Sequence, residues 1–301
     1  MKVGKTVGLL VGAWLLCVWG PMSISHGPWC GRVLAQGADI AWYGPPILTS
    51  DQLIAGFDKP GYHWGEECRL VAAVSLHFGD YEKVFTEAFP ILQRYQTPAT
   101  TWIVTGRIGQ PGYMTLEQIK ELAKHNWEIG SHGVTHRPLI EAKSALGTTP
   151  GLSPSEIRAE LGNSKTFLEL QGFSVSGFLS PFGLYNDLVL REIQRVYKYH
   201  RSNVFSAINS LPLADSGPGS RWELVYFQVK QDTPPLEVII EIDRVNRRGG
   251  WLILDFHDMG DYDPSVSYPP EALERIIRFL RAELKLCTLG ELQRGTCQPR
   301  R

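Results

Sequence analysis

The sequence predicts a single barrel-like α/β domain, and three observations carry that expectation. Short apolar runs alternate with segments of helical spacing from Leu70 almost to the carboxyl terminus, the pattern of a parallel sheet with helical crossovers. Runs such as "LVAAVSLHF" and "WLILDF" are continuously apolar, as strands buried on both faces are. No G-x-G-x-x-G follows the first strand, which removes the fingerprint of a dinucleotide-binding fold. The 301 residues suit one barrel, and no repeat, low-complexity tract or second domain interrupts the alternation.

In chain order, residues 1–35 read as a signal peptide or amino-terminal anchor. "MKVGK" is basic, and "TVGLLVGAWLLCVWG" is an apolar run of fifteen, short of the ~20 residues of a membrane span. Val33-Leu34-Ala35 offers residues suited to cleavage, and an uncleaved anchor is the alternative. Cys17 lacks the small preceding residues of a lipid-attachment site. Residues 36–67, rich in Gly, Pro and Trp, read as an irregular extension; 68–292 form the barrel and 293–301 a tail. Strands are expected at "LVAAVSLHF", "ATTWIV", "NWEIGSH", "VSGFLS", "WELVYFQV", "WLILDF" and "KLCTL". Helices are expected at "YEKVFTEAFPILQRY", at "TLEQIKELAKH" behind a threonine cap, and at "NDLVLREIQRVY", "PPLEVIIEIDRVNRRGG" and "PPEALERIIRFLRAEL". A further helix, "SPSEIRAELGNSKTFLELQG", opens with Ser153, Pro154 and Glu156 as a capping box and stops at Gly172.

Composition narrows the function. A formal net charge of −1 leaves no electrostatic footprint for nucleic acid. Nine tryptophans, eleven tyrosines and twelve phenylalanines suffice to line a sugar-binding groove, although most aromatics in any domain are core. Export would place the cysteines in an oxidising setting. Cys68 with Cys287 or Cys297 would join the two ends of the domain, and the pairing stays open. No CxxC occurs among Cys17, Cys30, Cys68, Cys287 and Cys297, so a thiolate zinc site is not expected.

Active groups of parallel barrels sit where strands end. Those positions hold His77, Gly79 and Asp80, then His132 and His136, then Pro181, Phe182 and Gly183, and finally His257 and Asp258. Two imidazoles and a carboxylate leave open positions on a divalent metal, which lowers the pKa of bound water from ~15.7 toward ~7. His132, His136 and Asp80 are the natural donors.

The segments "VSLHFGD", "SHGVTH", "FLSPFG" and "LILDFH", in this order, resemble the polysaccharide deacetylases (carbohydrate esterase family 4). The resemblance covers roughly residues 68–292, including "CTLGEL". It implies a distorted (β/α)7 barrel in a single domain. A divalent metal, zinc first with cobalt or manganese as alternatives, would be held by Asp80, His132 and His136. The implied reaction removes N-acetyl groups from the N-acetylglucosamine units of a glycan. His257 falls on the acid that protonates the departing amine, and the Phe182 N–H on an oxyanion donor. Pro181 and Trp222 are expected at the substrate. The implied protein is an exported monomer of the cell envelope, touching a membrane only through an uncleaved leader.

Two departures stand out. The family's basic aspartate falls on Gly79, and the arginine that orients it falls on Leu179. Positioned proton transfer is worth ~10²–10⁴-fold in rate, so activity would be weakened. The alternative is an inactive relative that binds glycan, in which Gly79→Asp with Leu179→Arg would create activity. A third class, hydrolysis of a small amide, would call for a closed pocket. His77 is a stand-in base by position, though burial inside the barrel is the stronger expectation. Asp255 and Asp258 flank the acid, either orienting it or serving as ordinary loop carboxylates. The Asp-x-x-Asp-Trp motif is not recognisable, although Asp215 and Trp222 lie in its region. His63, His125 and His200 have no partner pattern.

Overall fold

The structure, a computed structural model, describes residues 47–52 and 72–282 apart from 146, 206, 207, 212, 215, 261, 262 and 264. Seven parallel strands form a closed barrel: β1 (Ala72–Phe78), β2 (Thr100–Ile103), β3 (Glu128–Ser131), β4 (Gly177–Leu179), β5 (Tyr199–Phe205), β6 (Leu224–Gln228) and β7 (Gly250–Met259). β7 closes it by pairing with β1 from Ala72↔Gly250 to Phe78↔His257. Between the strands run α1 (Phe89–Arg94), α2 (Leu116–Lys124), α3 (Pro154–Leu170), α4 (Asp187–Val196) and α5 (Pro235–Arg248), and α6 (Pro270–Ala282) follows β7. The distorted (β/α)7 expectation holds.

Side-chain parity explains why these runs close into a barrel. Successive residues of a strand face opposite ways, and the core divides accordingly. Val74, Leu76 and Phe78 of β1 with Leu252, Leu254 and Phe256 of β7 pack outward among helix residues such as Leu122, Leu161 and Ile276. Ala73, Trp251 and Ile253, one step out of phase, join Trp102, Leu179, Tyr199, Leu224 and Tyr226 in a separate inner cluster. A strand apolar at every position therefore serves two cores. The inner cluster depends on a close approach, because a Cβ at Gly130 would stand 2.4 Å from the Trp102 ring. Gly130→Ala is expected to cost ~1–3 kcal/mol as overpacking, read as a lower Tm.

The helix signals are met where capping chemistry carries them. Ser153 and Glu156 form their reciprocal box, and Thr115 forms one with Gln118 rather than with the Glu before it. The first expected helix is divided. Pro90 has no N–H to continue the ladder, and Val84–Ala88 form a π-helical turn before α1.

β5 is a correction, since the sequence reading passes over "YHRSNVF". Its polar residues oppose a strand assignment locally, yet each of the first three is paired. His200 bonds Ser180 and the Trp222 carbonyl, Arg201 bonds Asp255, and Ser202 bonds the Leu224 carbonyl. The expected strand "KLCTL", the leader, the five cysteines, His63 and Asp215 lie outside the described residues. Of the extension, Ile47–Gln52 meets the N-terminal end of the barrel, with the Leu48 N–H on the Val74 carbonyl and the Asp51 N–H on Glu128. No helix among the described residues is long and apolar enough to cross a membrane.

Candidate active site

The strand ends converge on a cavity of ≈ 370 Å³ whose walls include Asp80, His132, His136, Phe182, Arg201, Asp255 and His257. The histidine loop is built by a carboxylate that the sequence reading missed. Glu160 of α3, buried at 7 % exposure, accepts the N–H groups of Val134 at 2.7 Å and Thr135 at 3.0 Å and the Thr135 hydroxyl at 2.7 Å. This clamp turns the chain so that the His132 and His136 rings stand 4.8 Å apart, and His136 takes a left-handed φ of 61°. The Phe182 ring packs edge-on against His136 at 4.7 Å.

The His132 Nδ1–H donates to the Leu179 carbonyl at 2.7 Å, which leaves Nε2 as the acceptor nitrogen, the usual orientation for a ligating imidazole. Burial, then the neighbouring His136, holds His132 well below the ordinary histidine range. Burial, with Arg107 and His257 adding, pushes His136 down to about 4. Both rings are therefore neutral at pH 7, as metal donors must be. Asp80 behaves differently. Its Oδ2 accepts from the Val104 N–H at 3.1 Å, and burial pushes its pKa up to about 6 against the pull of that amide and Arg107. Among the described residues no three His, Cys, Asp or Glu side chains gather closely enough to hold a metal ion. The chain fits a divalent metal through two imidazoles, and the third donor expected of Asp80 is not gathered with them.

These loops can be set beside known proteins. Residues 68–200 match the family model for polysaccharide deacetylase. Across that segment the chain resembles the polysaccharide deacetylases. It is 31% identical over 132 residues to a poly-beta-1,6-N-acetyl-D-glucosamine N-deacetylase of Staphylococcus aureus (strain MRSA252), covering 41% of this chain and 44% of the relative. It is 29% identical over 151 residues to YxkH of Bacillus subtilis, which carries a polysaccharide deacetylase designation, covering 50% and 45%. The chain thus spans under half the length of these curated relatives. A solved de-N-acetylase from Aggregatibacter actinomycetemcomitans superposes with a TM-score of 0.50 at 18% identity, over 66% of this chain and 83% of that one. That likeness concerns the fold alone.

In this chain the missing side chain at Gly79 has a structural setting. The register between β1 and β7 runs through His77↔Asp255 and then jumps to Phe78↔His257, so Phe256 is an extra residue in a bulge. The bulge leaves His257 at a left-handed φ of 54° and brings its carbonyl within 2.6 Å of the Gly79 N–H. A Cβ at position 79 would stand 2.7 Å from that carbonyl and 3.0 Å from the Tyr81 ring. The expectation that Gly79→Asp with Leu179→Arg creates activity is therefore revised. Gly79→Asp is expected to destabilise the fold by the ~1–3 kcal/mol of an overpacked site, read as a lower Tm, and to add no acetate release.

Other expected residues fall elsewhere. Pro181 is buried between the cavity-lining Ser180 and Phe182 without itself lining the cavity. Trp222 stands in the turn before β6, at the far end of that strand from the cavity-lining Gln228. Its carbonyl accepts from His200 Nδ1 at 2.8 Å. Position near a motif did not give the face. Asp258 lines a neighbouring groove with Tyr81, Lys83 and Tyr113. His77 is fully buried, its Nδ1 accepting from the Trp102 indole and its Nε2 bonded to Ser50, so it has no route to a substrate.

Proposed function

We propose that the chain is a carbohydrate N-deacetylase that releases acetate from N-acetylglucosamine units of an extracytoplasmic glycan. The observation that carries this reading is the convergence of His257 with the neutral pair His132 and His136 on one cavity. The match of residues 68–200 to the polysaccharide deacetylase model, and the substrate named for the Staphylococcus aureus relative, support it.

His257 is the proton donor to the departing nitrogen. Burial is the main cause that lowers its pKa, with Arg201 and Arg107 adding and Asp255 and Asp263 opposing, so its imidazolium gives up a proton readily. The Phe182 N–H is the donor to the developing oxyanion. His132 and His136 would hold a divalent metal, zinc first and cobalt or manganese otherwise, and Asp80, which lines the same cavity but is not gathered with them, would have to approach them to serve as the carboxylate donor. The chemistry such a cation supplies when bound is polarisation of the amide carbonyl and acidification of water. A polymer suits the surface better than a small amide. The cavity shares Tyr81 with the groove of Tyr113, Pro111 and Lys83, and the Phe182 ring beside it is 56 % exposed. The protein would act as an exported monomer, with residues 1–35 as its leader.

The test is acetate release from N-acetylglucosamine oligomers by protein loaded with zinc, cobalt or manganese, with metal analysis of His132→Ala and Asp80→Ala. Release that stops on chelation is the expected result, and His132→Ala should retain less zinc than the parent. Full zinc retention by Asp80→Ala would remove Asp80 from the ligand set. A second reading, glycan binding without cleavage, is favoured by the absent side chain at Gly79. Oligomer binding with no acetate under any metal would select it.

A further inference from the structure

Amide hydrolysis needs a group that takes a proton from the attacking water as well as one that gives a proton to nitrogen. Position 79 has no side chain for the first task, and the His257 carbonyl occupies the room a Cβ would need. Among the described residues two carboxylates line the cavity, Asp80 and Asp255. The deacetylase reading gives Asp80 to the metal and His257 to the leaving nitrogen, and Asp255 has no task.

We infer that Asp255, clamped by Arg201, is the proton acceptor of the reaction; the inference rests on the deacetylase reading. Arg201 Nη1 donates to Asp255 Oδ1 at 2.6 Å and Nη2 to Oδ2 at 3.1 Å. Their side chains are 6 % and 4 % exposed, yet both line the cavity. The guanidinium also lies 4.0 Å over the Tyr226 ring of β6, so the clamp bridges β5 to β7 across the strand between them. A bidentate pair uses one lone pair of each carboxylate oxygen and leaves another able to accept.

The placement makes this pair more than a buried ion pair. Asp255 is the register partner of His77 on β1, the strand that leads into Gly79. Arg201 is the register partner of Leu179 on β4. The carboxylate thus arrives from the strand beside the one leading into Gly79, and the guanidinium from the strand beside the one carrying Leu179. The bulge that closes position 79 begins immediately after Asp255. One backbone feature both removes room for a side chain at 79 and sets Asp255 next to the break. Arg201 and Tyr226 contact the carboxylate's surroundings, His257 follows on the same strand, and His77 is opposite on β1.

In the step, an O–H bond of water breaks, its proton passes to an Asp255 oxygen, and the water oxygen bonds to the carbonyl carbon. His257 then gives its proton to nitrogen as the C–N bond breaks, leaving acetic acid and a free amine. Asp255 returns its proton to His257 through solvent.

The test uses zinc-loaded Asp255→Asn and the double variant Asp255→Leu with Arg201→Met, assayed for acetate across pH, with folding followed by circular dichroism. The double variant removes the pair without leaving one buried charge alone, a replacement folds tolerate. Both variants should lose ~10²–10⁴-fold in kcat with KM unchanged, while the basic limb of the kcat/KM profile stays. Parent-like kcat in the folded double variant overturns the base assignment alone. Loss of the basic limb instead would show the carboxylate acting through His257 and would also overturn it. A parent that releases no acetate with any metal removes the deacetylase reading and this inference together.

Discussion

His257→Ala is expected to lower acetate release by ~10²–10⁴-fold, the usual contribution of positioned proton transfer, with little change in thermal stability. The second half of that expectation comes from the packing. His257 Nδ1 is buried with no hydrogen-bond partner among the described residues, so removing the ring leaves none of their donors or acceptors orphaned. The ring's aromatic neighbour is Tyr81, at 5.5 Å between centroids, a loose contact beside the stacked core rings Phe78 and Phe256 behind it. The left-handed backbone at φ 54° is held by the bulge and by the Gly79 N–H on the His257 carbonyl, and neither depends on the imidazole. The sign of the pH dependence follows from the lowered pKa. A donor acts only while protonated, so kcat/KM should decline as pH rises through a value below 6.5. A variant that keeps full acetate release while unfolding at the parent's temperature would take His257 out of the chemistry.

The parts of this molecule legible in its sequence are those set by local physics. Strands β1 and β7 declare themselves because both faces are buried, and α3 because Ser153, Pro154 and Glu156 satisfy its first amides. The histidine loop is legible because Gly133, which adopts a positive φ, sits between two imidazoles. What was missed is tertiary. β5 hides because His200, Arg201 and Ser202 find their partners on neighbouring strands and loops. Glu160 looks like any helical glutamate until its carboxylate is seen holding two loop amides. A signal for the Arg201–Asp255 pair was present nonetheless: Asp255 interrupts the apolar "WLILDF", and a charge in a strand buried on both faces requires a partner. The vacancy at Gly79 was readable, but its cause, a one-residue bulge in a different strand, was not.

Glu128→Gln is expected to change the pH dependence of stability more than any surface substitution. Glu128 begins β3 and points into the floor of the barrel, 8 % exposed. It accepts from the Tyr199 hydroxyl, from Thr100 Oγ1 at 2.9 Å and from the Asp51 N–H at 3.1 Å. Those bonds favour the charged form but do not outweigh burial, which raises the pKa from 4.5 to about 7. The folded protein therefore keeps a proton that the unfolded chain releases, and between about pH 4.5 and 7 stability falls as pH rises. At ~1.4 kcal/mol per pH unit the loss accumulates to ~3 kcal/mol. Glutamine has the same shape and no proton to lose, and its amide can donate to the Tyr199 oxygen in place of the carboxyl proton. Parent and variant should have similar unfolding free energies near pH 4.5, with the variant gaining up to about pH 7 and the difference levelling off above it in denaturant titrations. Parallel curves across that range would mean that Glu128 stays charged in the fold, held by its three donors despite burial.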